Sequence, residues 1–290
     1  MSWNTFSLGL ATNFMHIPTP ATNVLQFGSL TLHIYGLCIL AGMILAVSLS
    51  LLRLRKLRAV EENCSLSASD LLDIALITLP CGIVGARVYY VVTVPKHYLE
   101  HPLDVFAINQ GGLGIMGGLI AGILAAVVVC RVKGLNLNHF AYCCVPTVPL
   151  AQAVGRLGNW FNGELYGFET DLPWGLDISR GQYLPTKFYH PTFLYEIIWD
   201  VIIFALLLFI FNKRHYNSIV VAPTYLLLYT IGRSVVESFR IDYSEYFLGV
   251  RVNMWFSVTL MLLSICWLIA LAAKSGRLAQ FLGRGGSAQP

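Results

Sequence analysis

The chain alternates long apolar runs with short polar ones, and the spacing of the runs is that of membrane helices. The apolar stretches are Leu32–Leu52, Leu71–Val94, Leu113–Cys130, Phe140–Gly158, Pro191–Phe211, Ile219–Phe239 and Met254–Ala273. Each is close to the ~20 residues that an α-helix needs to cross a bilayer. Pro146 and Pro149 predict a kink in the fourth. Gly114, Gly118 and Gly122 recur every four residues in the third, which allows a neighbouring backbone to approach closely. Residues 95–112, with Pro95, Pro102 and the apolar Tyr98, Leu99, Leu103, Phe106 and Ile108, read as an arm lying in the membrane interface. Residues 159–189, with Pro173, Trp174 and Pro185, form the longest external segment. The pattern predicts an all-α, polytopic membrane protein. Residues 1–275 make one seven-helix domain, and 276–290 a polar, disordered cytoplasmic tail.

Composition agrees, since 56% of the 290 residues are hydrophobic and only 12% charged, against roughly 25% charged in soluble domains. The position of the charges says more than the net +4. Basic runs at Arg53, Arg55, Lys56, Arg58, at Arg131, Lys133, at Lys213, Arg214 and at Lys274, Arg277, Arg284 follow alternate apolar stretches. The positive-inside rule makes these ends cytoplasmic, which puts the N-terminus outside and the C-terminus inside. The runs are short and juxtamembrane, so no nucleic-acid partner is expected. The first thirty residues hold no Lys or Arg and lack the n-region of a cleaved signal peptide. Six of the seven cysteines lie in or beside apolar stretches and show no CxxC or zinc spacing, so no metal or redox cofactor is expected. Gly112-Leu113-Gly114-Ile115-Met116-Gly117 matches a dinucleotide fingerprint without the strand–turn–helix context that gives it meaning.

The ionisable residues inside the apolar runs are the informative ones, because a membrane-embedded charge is costly and usually functional. At 1.5 Å per helical residue, Arg87, Arg156, Glu196, Asp200, Arg233, Glu237 and Arg240 all fall in the outer half of the bilayer, with His33 and Tyr35 beginning the first span on that side. Tyr229, Arg233 and Glu237 share one helical face, as do Thr192, Glu196 and Asp200. Asp200, Glu196 and Arg87 fit either ion bridges that fix helix packing or a functional site. Arg156 and Arg233 supply a basic excess that a lipid phosphate would select. His190, just before Pro191, is either a base or a helix-start residue. Gly155-Arg156-Leu157-Gly158-Asn159-Trp160-Phe161-Asn162-Gly163-Glu164 places an arginine, two asparagines and a glutamate where the fourth span breaks into irregular backbone, a polar pocket suited to an anion.

This stretch resembles the signature of the bacterial prolipoprotein diacylglyceryl transferases. Similarity extends to His33-Ile34-Tyr35-Gly36-Leu37, Gly85-Ala86-Arg87-Val88-Tyr89-Tyr90, Gly111-Gly112-Leu113, Gly117-Gly118-Leu119, His190-Pro191-Thr192 with Tyr195-Glu196, and Tyr229 through Arg240. The resemblance implies a seven-helix protein of the bacterial plasma membrane with its site facing the extracytoplasmic side. The implied reaction moves the diacylglyceryl group of phosphatidylglycerol to the lipobox cysteine of a preprolipoprotein and releases glycerol phosphate. The family's phosphatidylglycerol-binding arginine falls on Arg156, its second critical arginine on Arg233, its important tyrosine on Tyr229 and its polar pair on Asn159 and Glu164. Many members carry a histidine where this chain has Met116, which cannot take a proton. The base is then His33, His190, Glu237 or a relay through Tyr229, or base catalysis is not essential.

Forming a thiolate from a thiol of pKa ~8.5 costs only about 2 kcal/mol at pH 7. The charge that develops on the leaving glycerol phosphate is the harder problem, so Arg156 and Arg233 are ranked first, as electrostatic clamps. Asn159, Asn162 and Glu164 would orient the glycerol head, with Tyr35, Arg87, Glu196, Glu237 and Arg240 completing the substrate site. The rival reading from another class is a transporter or flippase for an anionic lipid or small anion. Such a protein is expected to show inverted repeats and broken helices at the midplane, whereas the polar groups here are displaced toward one face.

Overall fold

A computed structural model describes residues 16–28, 30–107, 111–182, 186–211, 218–242, 244 and 246–274. Residues 1–15, Ile108, Pro185, the Lys213-Arg214 run, Arg277, Arg284 and the 276–290 tail lie outside the described residues. The chain is mostly helical: α1 (Ile34–Arg58), α2 (Ala68–Thr93), α3 (Pro95–Glu100), α4 (Ile115–Val132), α5 (Leu137–Cys144), α6 (Val148–Asn162), α7 (Thr192–Phe211), α8 (Val221–Phe239) and α9 (Val252–Lys274). Short strands join in pairs: β1 (Ile17–Pro18) with β4 (Leu176–Asp177) in parallel, and β2 (Val24–Phe27) with β3 (Leu30–His33) and β5 (Tyr246–Phe247) with β6 (Val250–Arg251) as hairpins. Among the described residues five helices, α1, α2, α4, α7 and α9, are long and apolar enough to cross a membrane. Leu76, Ile115 and many other large apolar side chains point outward, the inverse of a water-soluble fold.

Local chemistry sets the boundaries. Ser67 and Asp70 form a reciprocal capping box that starts α2, with Asp70 N–H donating to Ser67 Oγ at 3.0 Å and Ser67 N–H to Asp70 Oδ2 at 3.1 Å. Arg55, Lys56 and Arg58 lie in the last turn of α1, where the helix dipole favours cations. The neighbour served by the glycines of α4 is α2: a Cβ on Gly118 would meet Gly82 O at 3.2 Å, and one on Gly85 would meet Gly117 O at 2.6 Å. Lys133 then ties the same pair of helices, reaching Asp70 at 2.9 Å and Asp73 at 2.5 Å.

The expected fourth span is not one kinked helix. Pro146 and Pro149 interrupt it, leaving α5, a 3-10 turn over Val145–Thr147, and α6. Helix α6 runs past Gly158 to Asn162 and stops at Gly163, whose φ of 67° needs no Cβ. Arg156, Asn159 and Asn162 are therefore helical, and the irregular backbone expected from Gly155 begins only at Gly163. Two buried clusters anchor the bundle. Leu54, Leu71, Ile74, Ala126, Cys130 and Cys143 join α1, α2, α4 and α5, while Ile203, Leu207, Phe211 and Val221 join α7 and α8.

Candidate active site

Three helices meet around one carboxylate. Arg156 of α6 brings Nε to 2.6 Å from Glu196 Oε2, and Arg233 of α8 donates through Nη1 to Glu196 Oε1. The Arg156 contact is an ion pair off the hydrogen-bond axis, since Glu196 Oε2 has no in-line donor among the described residues. Arg233 Nη2 lies 2.7 Å from Glu237 Oε2, one turn along the same helix. Arg156, Glu196, Trp199, Asp200, Tyr229, Gly232, Arg233 and Val236 line a narrow cleft, partly open to the surroundings. The close approach of α7 and α8 depends on Gly232, where any Cβ would overlap the Trp199 indole, while Trp199 Nε1–H donates to Leu228 O at 3.0 Å.

A further cluster of charges closes the C-terminal end of α8. Glu237, 1% exposed, accepts from Arg240 Nη1 at 3.1 Å and from Asn253 Nδ2 at 3.2 Å, and Arg251 Nε lies 3.0 Å from its other side. Arg240 grips Asp242 with both arms of its fork, at 2.8 and 2.5 Å. Arg251 donates to the Arg240 and Asp242 carbonyls. Burial pushes the Asp242 carboxyl up, but the Arg240 hydrogen bonds and charge, with Arg251 behind them, outweigh it and hold the group below the usual carboxylate range.

Beside the cleft, Arg156 Nη1 reaches Asn159 Oδ1 at 3.5 Å, and Asn159 and Asn162 both donate to Glu164 Oε1, at 2.8 and 3.2 Å. Tyr35 packs on Gly158, where a Cβ would come within 2.6 Å of its ring. The signature stretch thus forms one connected polar network, anchored outward by Asn23 Nδ2 on Asn162 Oδ1 at 3.3 Å and by Arg180 on the Asn162 carbonyl.

Arg156, Arg233, Tyr229 and Glu196 come together as expected, and Asn159, Asn162, Glu164 and Tyr35 adjoin them. Other expectations need correction. Arg87 does not line the cleft: its guanidinium donates to the carbonyls of Asp104, Val105 (2.9 Å), Ala107 (3.4 Å), Gly111 (2.6 Å) and Gly112 (3.0 Å). It is consumed in holding the arm onto α2. Glu237 and Arg240 are saturated by one another and by Arg233, Arg251 and Asp242, which makes them a brace instead of a free receptor. Neither expected histidine lines the cleft. His33 is exposed at the start of α1 with no capping hydrogen bond. His190 pairs Nδ1 with the Tyr195 hydroxyl at 2.9 Å and packs its ring on Phe239. By formal count the arginines do not outnumber the acids. Arg156, Arg233, Arg240 and Arg251 face Glu196, Asp200, Glu237 and Asp242, because buried cations need acidic partners. Sequence reasoning missed Arg251, Asp242 and Asn253, which lie beyond the apolar run of α8. The only available signal was the cluster of polar residues around a short hairpin.

Apolar helices surrounding a buried arginine–carboxylate cleft define a multi-pass membrane protein with an internal ionic site. A sequence model of the prolipoprotein diacylglyceryl transferases matches residues 22–270. The chain belongs to the prolipoprotein diacylglyceryl transferase family. It is 38% identical over 275 residues to the phosphatidylglycerol–prolipoprotein diacylglyceryl transferase of Bifidobacterium adolescentis, covering 88% of this chain and 80% of that one. Identity to the protein of the same name from Corynebacterium glutamicum is 39% over 256 residues, covering 82% and 78%. With that from Streptomyces griseus it is 35% over 263 residues, covering 90% and 79%.

Proposed function

We propose that this protein transfers the diacylglyceryl group of phosphatidylglycerol to the lipobox cysteine thiol of preprolipoproteins, the first step of lipoprotein maturation. Family membership supports the reaction, and one observation supports its location: Arg156 and Arg233, from different helices, converge on the two oxygens of Glu196 in a lined cleft. A carboxylate held between two guanidiniums occupies the place that a phosphodiester would take, since both present two oxygens to a fork of N–H donors. In this reading α5–α6 and α8 also span the bilayer, the N-terminus is extracytoplasmic, and the cleft opens to the outer leaflet of the plasma membrane.

Phosphatidylglycerol enters laterally, and its phosphate exchanges with Glu196 for Arg156 and Arg233. Tyr229 lines the same cleft and contacts the reacting head group. Asn159, Asn162 and Glu164, already joined by hydrogen bonds, orient the glycerol. The cysteine sulfur forms a thioether bond to the glyceryl carbon as the carbon–oxygen bond to phosphate breaks. The electron pair stays on the phosphate oxygen, whose growing charge the two arginines stabilise. The test is purified protein, phosphatidylglycerol labelled in its glyceryl carbons and a lipobox peptide. The expected product is a peptide whose label survives alkali, together with released glycerol phosphate. Movement of labelled lipid across vesicles with no modified peptide would instead establish a transporter.

A further inference from the structure

Asp200 is the one ionisable group of the cleft wall that the steps above leave unused. It is 3% exposed and sits one turn below Glu196 on the same face of α7. Its side chain lines the cleft, yet no hydrogen bond reaches it from any described residue. The groups that face it are Arg156 from α6, Glu196 on its own helix, and Tyr225, Tyr229 and Arg233 from α8. The 3-10 turn Val145–Thr147, which also packs on α7, brings no titratable side chain. Tyr225 donates its hydroxyl to Gln152 Oε1 at 2.8 Å and is not available to Asp200. A buried carboxylate without a donor is costly, whereas a buried carboxylic acid needs only one acceptor.

Charge balance points the same way. Glu237 and Asp242 are matched by Arg240 and Arg251 at the outer end. Within the cleft, Arg156 and Arg233 face Glu196 and Asp200. With Asp200 ionised the cleft is neutral and attracts no anion. With Asp200 protonated it carries one positive charge, which a phosphodiester monoanion neutralises.

We propose that Asp200 enters the reaction as a protonated carboxyl and gives its proton to the phosphate oxygen that leaves the glyceryl carbon. The proposal rests on the transferase reading above. The carbon–sulfur bond forms and the carbon–oxygen bond breaks. The electron pair goes to the phosphate oxygen, the Asp200 proton follows it, and the thiol proton of the acceptor cysteine restores the carboxyl. This supplies the proton transfer for which His33 and His190 are misplaced and Met116 is unsuited.

The test compares wild type with Asp200→Asn, which keeps the shape but cannot transfer a proton, and with Asp200→Glu, which can. Transfer rates are measured against pH, with folding checked by gel filtration in detergent. General acid catalysis contributes about 100-fold or more. The Asn variant is therefore expected to lose about 100-fold in kcat with KM for phosphatidylglycerol within threefold, and the Glu variant to recover part of it. Wild-type activity should fall as pH rises and Asp200 loses its proton, and this alkaline limb should vanish in the Asn variant. A merely structural Asp200 moves stability and KM but leaves the limb in place. An independent reading comes from the infrared spectrum of lipid-free wild type minus that of the Asn variant, where a protonated-carboxyl band is expected. Wild-type kcat in the Asn variant, a surviving alkaline limb, or no such band overturns the Asp200 assignment. A wild type that transfers nothing overturns the transferase reading instead, and the infrared band alone then decides whether Asp200 holds the proton.

Discussion

Replacing Glu196 by glutamine perturbs the site at its centre. The amide keeps the shape of the side chain, removes the charge, and turns one acceptor oxygen into an NH2 group facing a guanidinium. The Glu196 side chain is only 8% exposed, so solvent screens little of the loss. Removing one partner of a buried ion pair costs about 3–5 kcal/mol. Arg233 keeps Glu237 at 2.7 Å, and Arg156 keeps Asn159 at 3.5 Å and still faces Asp200, which places the expected loss at the lower end, about 3 kcal/mol. The variant also leaves two arginines without the acid that competes with a phosphate. Phosphatidylglycerol at a hundred times its Kd returns about 2.7 kcal/mol, enough to close most of the gap. Thermal unfolding in detergent, with and without phosphatidylglycerol, reads both effects, and diacylglycerol serves as a control that lacks the phosphate. Glu196→Gln should melt well below wild type in the absence of lipid and approach lipid-free wild type when phosphatidylglycerol is added. Equal melting without lipid, or an equal response to diacylglycerol, would refute the idea that Glu196 holds the place of a lipid phosphate.

Other substitutions separate scaffold from site. Arg87→Met strips the arm carbonyls of their donor, at about 1–3 kcal/mol for each acceptor left bare and buried. Limited proteolysis should cut residues 95–107 faster, while KM for phosphatidylglycerol stays close to wild type. Gly232→Ala forces its new methyl into the Trp199 indole, and should destabilise by about 1–3 kcal/mol in thermal melts. Gly36→Ala, where nothing lies within 4 Å, should melt like wild type. Asp242, held below its unfolded pKa by Arg240 and Arg251, contributes stability that is fully present above about pH 4 and is lost as pH falls through its folded value. Asp242→Asn should lower the melting temperature at neutral pH and flatten its acid dependence below about pH 4.

The sequence carried the helices and the identity of the cleft because both obey simple periodicities. Thr192, Glu196 and Asp200, and Tyr229, Arg233 and Glu237, fall on single faces at a spacing of four, and an intramembrane charge has few places to go but toward another. Partner choice was not legible. Arg87 and Arg156 look alike in a hydropathy trace, but Arg87 faces the carbonyls of its own following arm while Arg156 faces a different helix. Arg53 reads as part of a cytoplasmic basic run, yet it turns inward, is buried, and donates to the Tyr142 carbonyl at 3.1 and 2.9 Å. For Arg87 and Arg53 the deciding factor is which backbone carbonyls remain unpaired nearby, and that depends on how distant parts of the chain fold. Glu237 shows the same limit, since Arg251 and Asn253 reach it only after the β5–β6 hairpin reverses the chain.

Apolarity and chemistry compete for the same positions, and the order of packing resolves the conflict. Helices α6 and α8 supply Arg156 and Arg233 and are not among the five that length and composition mark as spans. Helix α7 carries Glu196 and Asp200 and still qualifies, because the rest of its 20 residues are almost wholly apolar. In space the helices run α1, α6, α7, α8, α9, each packed on the next. Both polar helices therefore lie between apolar ones, with α6 flanked by α1 and α7, and α8 by α7 and α9. An arginine alone at the centre of an inserted helix costs about 2.5–3.5 kcal/mol. Here each turns toward α7, where one glutamate answers both. Helix α6, at 15 residues, falls short in length, while α8, at 19, is made less apolar by Arg233 and Glu237; in both, the polar positions are satisfied by neighbouring helices, which no single-helix measure can register.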